Sequence, residues 1–121
     1  MTGSVQTELH DGIIMVTWRG PIDEHLLSEG QKQIRFFLTR SDTPRILHNT
    51  IEMDEPNTAL ALKMRAFDQE IMNRVCGIAT VVNSSKTAVM AKISFAFSKK
   101  HQVYRHDIDM AKSWLRSCAL H

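Results

Sequence analysis

Residues 75–82 (VCGIATVV) constrain this chain more than any other stretch. A short, continuous apolar run rich in β-branched side chains reads as a strand covered on both faces. Such a strand requires helices packed over its sheet, so strands and helices are expected to alternate around it. Residues 13–18 (IIMVTW) have the same character and belong inside the same sheet. At 121 residues the chain reads as a single domain spanning 1–121, large enough to bury a core without staples.

The remaining elements follow from local signals. His10-Asp11-Gly12 separates two β-like runs within residues 4–18, and Asp-Gly supplies the positive-φ turn of a tight antiparallel hairpin. Gly20-Pro21 breaks the second strand. Asp23 caps a helix whose inward face holds Leu27, Gly30, Ile34 and Phe37 and which ends near Arg40. Gly30 in mid-helix costs about 1 kcal/mol relative to alanine, which points to close approach to the sheet.

Residues 45–48 (RILH) form a short third strand, residues 49–56 a polar loop, and Asn57 or Thr58 the cap of a second helix with Leu60, Met64, Phe67 and Ile71 facing inward. After the run at 75–82, Asn83-Ser84-Ser85 caps a third helix on Val89, Met90, Ile93 and Phe97. A fifth strand at 103–105 precedes Asp107 and a fourth helix anchored by Ala111, Trp114 and Leu115. The predicted order is ββαβαβαβα: an α/β fold with four helices and a mostly parallel, about five-stranded mixed sheet, opened by an antiparallel hairpin.

Composition excludes several functions. The formal charge of +2 is small, and the C-terminal basic residues are spaced as solvated faces without aromatic interleaving, so no nucleic-acid partner is expected. No apolar run reaches membrane-spanning length, so no membrane insertion is expected. Cys76 and Cys118 lie far apart and make no framework, and with no signal peptide the cytoplasm is the expected compartment.

No set of residues identifies a reaction or a cofactor. The five glycines are not grouped into a phosphate loop, and Cys118 with His121, or His101 with His106, lack the arrangement of a metal site. Cys76 opens a buried strand and packs as a small hydrophobe. His48 stands where ligands bind α/β sheets, at the carboxyl end of a strand, though a hydrogen-bonded structural histidine accounts for it better. The turn Ser84-Ser85-Lys86 offers backbone N–H groups, hydroxyls and an amine to an anion, and it is also an ordinary serine cap. Met64, Met72, Met90 and Met110 lie near apolar helix faces, as adaptable core packing or as the wall of a pocket for an apolar ligand.

The opening hairpin, the strand–helix repeat, CGIATVVN at 76–83 and the closing HQVYRHDIDMAKSWL at 101–115 together resemble the STAS-like, or SpoIIAA-like, group of small bacterial domains. These are similar in fold to anti-sigma-factor antagonists. The resemblance implies a non-enzymatic regulatory domain that binds a protein partner or a second copy of itself through the loop after the third strand and the helix that follows. Here that segment supplies His48, Asn49, Asp54, Asn57 and Thr58. In the antagonists a serine or threonine at the start of that helix is phosphorylated. The Asp-Ser-Ser-Gly type sequence is absent here and Thr58 is the nearest hydroxyl, so the segment is retained as a binding surface and the phospho-switch is not. A carrier of a small apolar or anionic ligand, as in the related Sec14 (CRAL-TRIO) fold, is the alternative.

Overall fold

The computed structural model describes residues 2–83 and 99–118. Its sheet runs in the order β1-β2-β3-β4-β5, with β1 (Ser4–His10) antiparallel to β2 (Ile13–Gly20). The remaining strands, β3 (Arg45–Met53), β4 (Gly77–Val82) and β5 (His101–Arg105), continue parallel to β2. The hairpin turns on Asp11 and Gly12, whose φ angles of 53° and 77° give the double positive-φ turn that the twist of the strands favours.

Helices α1 (Glu24–Leu38) and α2 (Thr58–Ile71) cover one face of the sheet, and α3 (Ile108–Ser117) covers the other. The N-caps are Asp23, Asn57 and Asp107, each accepting from the backbone N–H three residues on. Ile14, Val16, Ile46 and Ile78 point toward α1 and α2, whereas Ile13, Leu47, Ala79 and Val81 point toward α3. Both faces of β2, β3 and β4 are therefore apolar, which is why 13–18 and 75–82 show no polar alternation.

Three expectations need correction. Three α-helices lie among the described residues where four are expected; the helix on Val89, Met90, Ile93 and Phe97 lies outside them, as do Ser84, Ser85 and Lys86. Second, the third strand does not stop at His48. Residues 49–53 continue it, because Asn49 pairs with both Thr17 and Val81 and Thr50 Oγ1 donates to Val81 O at 2.7 Å. The polar loop shrinks to residues 54–57.

Third, Cys76 and Cys118 form a disulfide, with their Cα atoms 6.0 Å apart. The closing helix folds back under the start of β4, so that a β-carbon at Gly77 would lie 3.0 Å from the Trp114 ring and 3.4 Å from Cys118 Sγ. Tertiary packing thus joins two cysteines 42 positions apart. One of the grounds for assigning a reducing compartment falls with this pairing.

Gly30 sits over the buried Trp18 ring. A β-carbon there would stand 2.3 Å from Trp18 Cη2, and Trp18, at 1% exposure, has nowhere to move. Gly30→Ala would gain about 1 kcal/mol of helix propensity. The overlap outweighs it, and a net loss of about 2 kcal/mol is expected in urea unfolding. A stabilised variant would show that α1 can lift from the sheet without cost.

Candidate functional site

The face of the sheet beneath α1 and α2 is apolar at its amino end and polar toward its carboxyl end. Along β3 the inward series runs Ile46, His48, Thr50, and β4 carries Ile78, Thr80, Val82 beside it. Between the Thr17–Asn49 and Arg19–Glu52 pairs, Trp18 alone stands opposite Thr50 and Ile51, a bulge in β3 at the level of this polar belt.

His48 is the centre of the belt. Its Nδ1 accepts from Trp18 Nε1–H at 3.1 Å, which assigns the ring hydrogen to Nε2, and Nε2 donates to Asp68 Oδ1 at 3.2 Å. His48 and Asp68 are each 6% exposed. Asp68 lies on the buried side of α2 beside Phe67, so a carboxylate occupies a helix face that otherwise holds Leu60, Phe67 and Ile71. With both ring nitrogens engaged, His48 in this arrangement positions Trp18 and Asp68 and has no lone pair left to take a proton from a substrate.

His101 completes the belt from β5, its Nε2 lying 2.9 Å from Thr80 Oγ1. Burial lowers its pKa from 6.5 to about 4; the Asp68 carboxylate opposes the shift and His48 adds to it. The folded state holds His101 neutral at pH values where the unfolded chain protonates it. The associated stability is complete above pH 6.5 and is lost as pH falls toward about 4. Between about pH 7 and pH 5 the loss is expected to reach roughly 2 kcal/mol. Denaturant titrations across that range check it: His101→Gln should flatten the slope, and an unchanged slope would assign the acid sensitivity elsewhere.

Next to the belt is a cavity of about 180 Å³ between the sheet and the two helices. Trp18, His48, Thr50, Thr80 and Val82 line it from the sheet, Leu27, Gln31 and Ile34 from α1, and Ala61, Met64, Arg65, Phe67 and Asp68 from α2. Met53, Glu55 and Pro56 close the ring of residues where β3 passes into α2. The lining is mainly apolar with a few polar groups among it, the pattern of a small-molecule site. Among the described residues no group of three or more His, Cys, Asp or Glu side chains is placed to hold a metal ion.

No protein-family model matches this chain, and no curated protein matches it in sequence. Solved structures do match. An anti-sigma factor antagonist from Mycobacterium paratuberculosis superposes with a TM-score of 0.73 at 17% identity, covering 95% of each chain. An uncharacterised protein with a SpoIIAA-like fold from Shewanella loihica superposes with a TM-score of 0.72 at 11% identity over 93% of each chain. The fold is SpoIIAA-like, the STAS-like fold.

Within this SpoIIAA-like fold the residues singled out in the sequence separate into two groups. His48 is interior and faces the cavity, whereas Asn49 is half-buried in β3 and accepts from Ile51 N–H at 3.2 Å through its own side chain. Asp54, Asn57 and Thr58 are exposed where β3 leads into α2; Asp54 N–H donates to Gly20 O at 3.0 Å and Asn57 Oδ1 accepts from Leu60 N–H at 2.8 Å. The segment therefore presents two sites, an outer cap and an inner belt, and not one.

Sequence reading missed Trp18 as a hydrogen-bond donor and missed Asp68, Thr50 and Arg65 altogether. Asp68 carried a signal: it follows Met64 by four and Phe67 by one, which puts a carboxylate on the predicted apolar face of the helix. Such a residue demands a buried partner, and His48 is the match.

Proposed function

We propose that this chain is a non-enzymatic regulatory binding domain that meets a protein partner, or a second copy of itself, through the 54–57 loop and the outer face of α2. The observation carrying this reading is the exposed amino half of α2, where Thr58, Ala59 and Leu62 face solvent and Leu62 is 56% exposed. An apolar side chain held open on a capped helix beside an anchored loop suits a helix-face interface. The fold adds an analogy, since the Mycobacterium paratuberculosis protein of similar structure is an anti-sigma factor antagonist. The engagement of both His48 nitrogens supports the non-enzymatic part.

The test is quantitative affinity capture combined with sedimentation velocity, comparing wild type with Leu62→Asp. Leu62→Asp should lose the partner or the dimer by at least about tenfold, because a desolvated apolar anchor becomes a charge. Leu9→Asp, on the opposite sheet edge, should retain it. Equal capture by all three proteins would overturn the assignment of the surface. Thr58→Glu bears on the phosphorylation analogy: Asp54 and Glu55 already place negative charge beside that cap, and binding is expected to persist.

A second reading, a carrier of a small apolar ligand, is favoured by the 180 Å³ cavity beneath α2. The two readings are compatible, because α2 is both the roof of the cavity and the presented surface.

A further inference from the structure

We infer that the cavity takes a small apolar monocarboxylic acid and that Arg65 holds its carboxylate. The inference rests on the carrier reading and adds the ligand class. Arg65 is half-buried on the cavity side of α2. Its Nε is enclosed and has no hydrogen-bond acceptor, and no salt bridge involves it among the described residues. Other arginines in the same protein are matched: Arg19 to Glu52, Arg35 to Glu70, Arg116 to Asp11, and Arg45 to the Leu115 and Cys118 carbonyls.

A guanidinium N–H withdrawn from water without an acceptor is costly, and turning the guanidinium of Arg65 toward an acceptor in the cavity removes that cost. The planar fork of arginine fits the paired oxygens of a carboxylate or a phosphate. The other charges of the lining set the limit. Asp68 is committed to His48 Nε2–H and Glu55 is exposed, so among the described residues of the lining one cation faces two carboxylates. That balance tolerates a monoanion and disfavours a dianion such as a phosphate monoester. Size gives the apolar body: an apolar cavity of about 150 Å³ takes benzene, so about 180 Å³ suits a single ring or a chain of roughly six to eight carbons.

Isothermal titration of wild type, Arg65→Met and Arg65→Lys with octanoate, 1-octanol and octyl phosphate tests this. Met keeps the apolar stem and Lys keeps the charge, and circular dichroism verifies that both variants fold. Wild type should bind octanoate at least about tenfold more tightly than 1-octanol. Octyl phosphate should bind more weakly than octanoate. Arg65→Met should abolish the preference for the acid while leaving 1-octanol binding unchanged, and Arg65→Lys should restore part of it. Equal affinity of wild type for acid and alcohol, a preference surviving in Arg65→Met, or tighter binding of the phosphate would overturn the role of Arg65 and leave the carrier reading standing. Failure of all three ligands to bind would overturn both.

Discussion

His48→Leu is expected to destabilise the protein by about 3 kcal/mol, more than a histidine-to-leucine exchange on an apolar sheet face would suggest. Leucine matches the neighbouring Ile46 and Ile78 in character, so packing alone would tolerate it. The cost arises from what remains. Asp68, 6% exposed, loses the Nε2–H donor at 3.2 Å, and Trp18 Nε1–H loses its acceptor at 3.1 Å. A charge left buried without its partner is the larger of the two penalties. Asp68→Asn should cost only about 1 kcal/mol, because an amide oxygen still accepts from Nε2–H. His48→Leu/Asp68→Leu should recover much of the loss, since no buried charge is then stranded. Urea unfolding of wild type, His48→Leu, Asp68→Leu and the double variant forms a double-mutant cycle. Additive single-variant effects would mean that the pair is not coupled, and the belt would then be incidental to the fold.

That belt also marks where sequence reasoning stops. The apolar runs at 13–18 and 75–82 told which strands are covered on both faces, because solvent exposure on either side would have imposed a two-residue alternation. Asp11-Gly12, Asp23 and Asp107 announced their turn and caps because their chemistry is local. The extension of β3 through Met53 was hidden for the opposite reason. Asn49 and Glu52 have weak strand character, and the segment is held by partners distant in sequence: the ladder from Asn49 to Thr17 and Val81, the bond from Thr50 to Val81 O, and the ion pair from Glu52 to Arg19. His48 was singled out as the end of a short strand, whereas it stands inside β3. Its chemical state was not legible, since the tautomer depends on Trp18 and Asp68, 30 and 20 residues away. Arg65 was invisible because an arginine on a helix flank is ordinary until its surroundings show no acceptor.

Reducing the Cys76–Cys118 disulfide is expected to remove about 4 kcal/mol of stability without releasing α3. The magnitude follows from the 42-residue separation, since the cross-link withholds that loop's closure entropy from the unfolded chain. The retained structure follows from independent contacts. Arg45 Nε donates to Leu115 O at 2.6 Å and Arg45 Nη2 to Cys118 O at 2.7 Å, tying the end of α3 to the start of β3. Ala111 and Leu115 stay buried against Leu47, Ala79 and Val81. Wild type in dithiothreitol should therefore show a lower urea midpoint with an unchanged near-ultraviolet spectrum in native buffer, and Cys76→Ala/Cys118→Ala should be insensitive to the reductant. Equal midpoints with and without dithiothreitol would show that the two thiols are not joined in solution. Loss of the native spectrum on reduction would instead show that Arg45 cannot hold the helix alone. The cavity and the outer face of α2 lie on the other side of the sheet from this link. Ligand and partner binding should accordingly be the same in the oxidised and reduced proteins.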